Sequence, residues 1–382
     1  MTEAIKKKIE VQKEALAKAY RYKKSLVVAA TGAGKSKIGI DYAKLVHESK
    51  KGKAKICLVV PTEKLRDENW YEEFEKWESS DLWESVDRFC YASLSKIEGK
   101  KYDLVILDEV HNITPLSATF FEVNKIDRAI GLTATMPRSE EKKDLIKQIG
   151  LRKAFELGLE EAIELGLVSP FNIKVIELEL DRKEKNIVSG NKKNPFMQTE
   201  YSKYMYLSNV VDSSKFTPRG KFAILNRMRF IYNLPTKTNA AKQILESNLF
   251  KENERVLAFC GSIKQADELL EDSYHSKSGK ESLKKFEEKK INRLSCVKSL
   301  NEGANIADID SALIVQLTSK ELDMIQRIGR TIRYKPGHTA TIYILVVKET
   351  QDYSWCEKAL ANISPDRVER LTFEKFIRQC QK

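Results

Sequence analysis

Three stretches of this chain carry residue types and spacings suited to phosphate chemistry. The first is AATGAGKS, residues 29–36. A small-residue turn opening a helix presents backbone N–H groups to a phosphate, and the helix N-terminus favours its negative charge. Thr31, Gly32, Ala33 and Gly34 form that turn, with the two glycines free to take unusual backbone angles. Lys35 stands where a lysine reaches β- and γ-phosphates, and Ser36 where a hydroxyl holds Mg²⁺. Ala29 replaces the first glycine of G-x-x-x-x-G-K-[ST], so the stretch alone also fits an ordinary glycine turn before a helix.

The second stretch is YDLVILDEVH, where an apolar run ends in Asp108 and Glu109. Paired acids at the C-terminal edge of a sheet can divide the work of phosphoanhydride hydrolysis. Asp108 would hold Mg²⁺ through water, and Glu109 would orient and deprotonate the attacking water. The third is QRIGRTIRYKPGH, residues 326–338. Gln326, Arg330 and Arg333 recur at helical spacing, so the arginines can share a face and neutralise developing phosphoryl charge. A basic helical face equally suits solvent or nucleic-acid phosphate.

The elements that must position these residues read as α/β. SLVVAA, KICLVVP, DLVILDE and AIGLTAT are short, nearly continuous apolar runs, as strands covered on both faces require. Polar helical stretches such as KIGIDYAKLVHESK separate them, which predicts a doubly wound parallel sheet. A second strand set, RVLAFC, RLSCV, ALIVQL and TIYILVV, predicts a second α/β domain.

Together these residues resemble superfamily 2 helicases of the DExH type, related to type III restriction motors and branch-migration DNA helicases. AATGAGKS looks like motif I, VVPTEKLRDENW like motif Ia, DEVH like motif II and LTATMPR like motif III. VLAFCGSIKQADEL, CVKSLNEGANIADID and QRIGRTIRYKPGH resemble motifs IV, V and VI. The resemblance implies two RecA-like domains, each a mainly parallel sheet flanked by helices, with an ATP site in the cleft between them. It implies ATP and Mg²⁺ as cofactors, with Lys35, Asp108, Glu109, Gln326, Arg330 and Arg333 as the catalytic set. Gln12 resembles the adenine-reading glutamine. Pro61, Thr62, Arg66 and Asn301 are implied nucleic-acid contacts. His111, Thr133, Ala134, Thr135 and Gly303 are implied to couple the two sites. The expected activity is an ATP-dependent DNA helicase or translocase, on branched DNA in replication, recombination or repair. The same motifs would serve an ATP-controlled clamp without unwinding, or an RNA helicase.

The bulk composition agrees with two domains. The chain has 382 residues, 42% apolar and 32% charged, too apolar for disorder. The expected division is 1–171 as the first motor domain, 172–236 as a basic connecting region, 237–349 as the second motor domain and 350–382 as a helical tail. A net charge of +12 favours a polyanion partner. Residues 181–230 hold eleven Lys/Arg against four Asp/Glu, a net of +7, interleaved with aromatics. Such a tract suits a nucleic-acid surface or a solvated connector equally well. Six cysteines without a C-x-x-C pair give no zinc or disulfide framework. No run reaches the ~20 apolar residues of a membrane span. The expectation is a cytoplasmic monomer, in the host cytoplasm if the chain is viral, with DNA as partner and no membrane.

Overall fold

The apolar runs of the first 157 residues become six strands: β1 (Lys24–Ala29), β2 (Ile56–Val60), β3 (Val86–Cys90), β4 (Lys101–Asp108), β5 (Lys125–Thr133) and β6 (Arg152–Leu157). They form one sheet in the order β3-β2-β4-β5-β1-β6, with every neighbour parallel. In this computed structural model the described residues are 3–137, 139–214, 217, 219–297, 309–317, 339–361 and 363–380.

Parallel pairing explains the sequence pattern. Helices α1 (Glu3–Tyr20) and α2 (Lys35–Ser49) pack on the sheet, and Leu104 to Leu107 of β4 are completely buried. Each such side chain stabilises the fold by about 1.5–3 kcal/mol. The register then decides where chemistry can occur. Asp108 pairs with Leu132, and Val28 pairs with Thr133. Three adjacent strands therefore end together, each followed by one of the motif loops.

The chain divides into two compact units at Ser169/Pro170. The second contains β7 (Phe171–Leu178), β8 (Ile187–Gly190), β9 (Pro195–Gln198), β10 (Val256–Cys260), β11 (Ser273–Tyr274), β12 (Arg293–Val297), β13 (Ser311–Ile314), β14 (Ala340–Val347) and β15 (Val368–Thr372). Seven of these form a parallel sheet in the order β11-β12-β10-β13-β14-β7-β15.

Two expected boundaries change. Residues 172–178 are not a connector, and Phe171 does not close the first domain: β7 pairs with β14 along eight residues and with β15 along five. Residues 350–382 are not wholly helical, because β15 lies between helices Gln351–Leu360 and Phe373–Cys380. The remaining basic tract is an insertion between β7 and β10. It holds the antiparallel hairpin β8–β9 and the helices Glu200–Ser214 and Gly220–Tyr232. Buried Glu200 fixes its base, accepting hydrogen bonds from the Asp181 N–H (3.1 Å) and from the Thr236 N–H (2.8 Å) and hydroxyl (2.6 Å).

Candidate active site

The loop after β1 is built as an anion cradle. Gly32 and Gly34 have φ of 89° and 88°, a region that L side chains avoid. A Cβ at Gly34 would also lie 2.1 Å from Gln12 Nε2, so that side chain would have to swing away and release the loop. Gln12 is buried and donates to the Ala33 carbonyl at 3.0 Å, which braces the loop from α1. Gly34 caps α2 without a side-chain hydrogen bond to its first turn, where backbone N–H groups need acceptors. Lys35 is buried and its ammonium donates to the Ala29 carbonyl at 3.2 Å, across the loop. The Thr31 hydroxyl is buried with no hydrogen-bond partner among the described residues. Ser36 follows, half-buried. The N–H and ammonium donors fit a polyphosphate, and the Ser36 hydroxyl oxygen could ligate its magnesium ion.

Asp108 closes β4 and is held from three sides. Trp70 Nε1 donates to Oδ2 at 3.0 Å, the Glu109 N–H donates to Oδ1 at 2.9 Å, and the Tyr91 hydroxyl donates to the backbone carbonyl at 2.9 Å. Burial first, then the charges of Asp108 and Glu109, push the Tyr91 hydroxyl well above its ordinary range, so it stays a donor. Trp70 is also wedged against α2: a Cβ on Gly39 would meet its ring at 3.2 Å. The sequence reading missed Trp70 and Tyr91.

Glu109 is a non-glycine residue at φ 46°, ψ 55°, a conformation costing about 1–3 kcal/mol. Its carboxylate lies 3.4 Å from His111 Nδ1, which is 3.0 Å from the Thr133 hydroxyl. That hydroxyl donates its proton to the Thr135 carbonyl at 2.8 Å, so it can only accept from the histidine. The neutral ring therefore carries its proton on Nδ1, leaving Nε2 to face the Asn112 amide at 3.4 Å. A continuous path runs from Glu109 through His111 to Thr133 and Thr135, with Ala134 buried beside it.

The segment after β2 places Pro61 and Thr62 at half-buried positions. Thr62 Oγ1 accepts from the Leu65 N–H at 3.4 Å. Arg66 forks onto Asp67 with two 2.7 Å bonds, which raises the guanidinium's pKa and lowers the carboxyl's. Such an exposed pair is weak enough for a phosphate to displace. Gln326, Arg330, Arg333, Asn301 and Gly303 lie outside the described residues.

The sequence profile of the family "Type III restriction enzyme, res subunit" matches residues 2–138, and that of the "Helicase conserved C-terminal domain" matches 236–335. The chain belongs to the superfamily 2 helicases. Within that superfamily, the DNA 3'-5' translocase XPB2 of Sulfurisphaera tokodaii is 24% identical over 385 residues, covering 91% of this chain and 84% of that protein. Two solved structures share the fold. The Pyrococcus furiosus Hef helicase domain has a TM-score of 0.55 at 17% identity, covering 91% of this chain and 97% of its own. The Type ISP restriction-modification enzyme LlaBIII bound to DNA has a TM-score of 0.58 at 12% identity; 98% of this superfamily 2 chain aligns with 33% of it. Both sheets thus follow the two-domain RecA-like plan.

Proposed function

We propose that this superfamily 2 chain is an ATP-hydrolysing DNA helicase or translocase. The observation that carries the reading is the shared edge of β1, β4 and β5, which gathers the phosphate loop, Asp108–Glu109 and the His111–Thr133 link. The name of the XPB2 relative supports DNA over RNA and directed movement over a static clamp. ATP with Mg²⁺ supplies the phosphoanhydride whose cleavage drives the cycle. The loop N–H groups and Lys35 bind its phosphates, and Ser36 and Asp108 hold the metal. Glu109 orients the attacking water and takes its proton, while His111 Nδ1–H steadies the Glu109 carboxylate and relays its state to Thr133 and Thr135. By family resemblance, Gln326, Arg330 and Arg333 stabilise the γ-phosphoryl charge. Gln12 reads the adenine while bracing the loop, and Gly303 joins the coupling. Pro61, Thr62, Arg66 and Asn301 track the DNA backbone, and the insertion at 182–229 adds a basic, aromatic surface.

We further propose branched DNA as the preferred substrate, action as a monomer, and a cytoplasmic location, in the host if the chain is viral. Among the described residues no helix is long and apolar enough to cross a membrane.

The test compares ATPase stimulation by single-stranded DNA, duplex DNA and RNA, together with strand displacement on forked substrates. DNA should stimulate more than RNA. Lys35→Ala should abolish hydrolysis, and Arg330→Ala should keep ATP binding while hydrolysis falls by ~10³. ATPase activity without displacement or translocation would leave the clamp.

A further inference from the structure

The opposite edge of the first sheet carries a charge pattern that the ATP cycle does not use. Four adjacent strands, β4-β5-β1-β6, each begin with a cation: Lys101, Lys125, Lys24 and Arg152. At ~4.8 Å per strand, this row is ~14 Å long. It borders a depression of about 730 Å³ that Arg21, Lys23 and Lys50 also line. Seven cations there face two aspartates, a net of +5. Both aspartates are engaged, since Lys50 Nζ lies 3.0 Å from Asp103 and 3.6 Å from Asp127. Lys24 is turned inward, donating to the Ile149 carbonyl at 3.0 Å, and its burial lowers its pKa. Lys23, Lys101, Lys125 and Arg152 are exposed, with no carboxylate at ion-pair distance among the described residues.

The register sharpens this. Lys101 and Lys125 are direct cross-strand partners. Like charges side by side on neighbouring strands repel, a repulsion that Asp103 near Lys101 offsets in part and a bound anion would offset further. Lys101 opens and Asp108 closes the same eight-residue strand, so the depression lies ~23 Å from the Asp108 carboxylate. It therefore cannot be part of the nucleotide site.

We propose that this depression is a second DNA seat, binding the phosphate backbone of a duplex segment. At one phosphate per ~3.4 Å of each strand, the row spans about four phosphates. The inference rests on the DNA reading above and adds to it a contact on the far edge of the first unit. A branched substrate has a spare duplex arm to fill such a seat, whereas a short single strand does not.

The test uses the full chain and two variants, Lys125→Glu and the triple Lys101→Ala/Lys125→Ala/Arg152→Ala. The triple variant should bind a three-way DNA junction about tenfold more weakly, with a salt slope reduced by ~2.7. Stimulation of its ATPase by a short single strand should be unchanged. Lys125→Glu should unfold at a higher temperature, by relieving the Lys101 repulsion, and still bind the junction more weakly. Acetylation of Lys101 and Lys125 in the wild-type protein should be suppressed by a 40-base-pair duplex but not by inorganic tripolyphosphate. A thermal gain with unchanged junction affinity and slope would mean a merely solvated edge and overturn the proposal. Protection by tripolyphosphate alone would reassign the seat to free polyphosphate and equally overturn it. If DNA fails to stimulate wild-type ATPase at all, the functional reading fails first, and the two failures stay distinct.

Discussion

Trp70 Nε1, 3.0 Å from Asp108 Oδ2, ties the helix after the candidate DNA segment to the carboxylate that would hold magnesium. Five residues of π-helix, Leu65–Asn69, immediately precede it. Such turns are high in energy and recur at functional sites. Trp70→Phe keeps an aromatic ring at the position but removes the donor and the outer indole ring that reaches Gly39 of α2. ATP binding should persist while the Mg²⁺ needed for half-maximal ATPase rises about tenfold, in line with the loss of a ligand-orienting hydrogen bond. A magnesium titration of the variant checks this; an unchanged midpoint with lower stability would assign Trp70 to packing alone. At this scale the glycines, Lys35 and Asp108–Glu109 were legible, because a phosphate loop needs those types in that order. Trp70 and Tyr91 were not. Their partner lies 38 and 17 residues away, and an aromatic ring in an apolar context reads as core. Nor does any sequence signal announce that Glu109 adopts a left-handed backbone.

Among the elements, the insertion after β7 combines a fixed base with an apolar outer surface. Phe222 is 71% exposed and Phe196 is 55% exposed, alongside Tyr206, Val188 and Met197. Exposed large apolar side chains on one insertion suit a contact surface, and the cations of the same tract favour a nucleic-acid partner. Replacing Lys192, Lys193 and Lys221 by alanine should reduce the single-strand salt slope by ~2.1 without lowering the melting temperature. Glu200→Ala should do the opposite. It removes the acceptor for both stems, so protease cleavage of the hairpin should accelerate well before the second sheet unfolds. Limited proteolysis followed by mass spectrometry reads this directly. The stretch IKVIELEL, residues 173–180, interleaves apolar and charged residues as a strand does, but a period of two does not say which sheet a strand joins. β15 was hidden for another reason: three of the five residues of VERLT are charged or polar, and it lies between two helical stretches.

Across the whole molecule, the two units have separate cores, so unfolding need not be a single transition. The second contains Lys237 and Asp352, both with fully buried side chains and 2.6 Å apart. Gln316 accepts from the same ammonium at 2.9 Å, and the Val347 N–H donates to Asp352 at 3.0 Å. Lys237→Met strands a buried carboxylate and should cost about 3–5 kcal/mol. Urea unfolding should show that loss in the second unit, while nucleotide binding by the first persists to its own midpoint. The double variant Lys237→Met/Asp352→Leu should recover most of it. The two-domain plan was readable from the strand sets, yet this buried pair was not, since an isolated lysine and aspartate carry no sign of burial.

The position of β7 has a mechanical consequence. The chain leaves the first unit at Ser169 and enters the second directly through this strand, which is bonded on both sides. Tension passed along the backbone from one unit to the other would load those parallel hydrogen bonds in shear, many at once, rather than peel them singly from an edge. A molecule that pulls on a polymer needs its own linkage to be the last thing that yields.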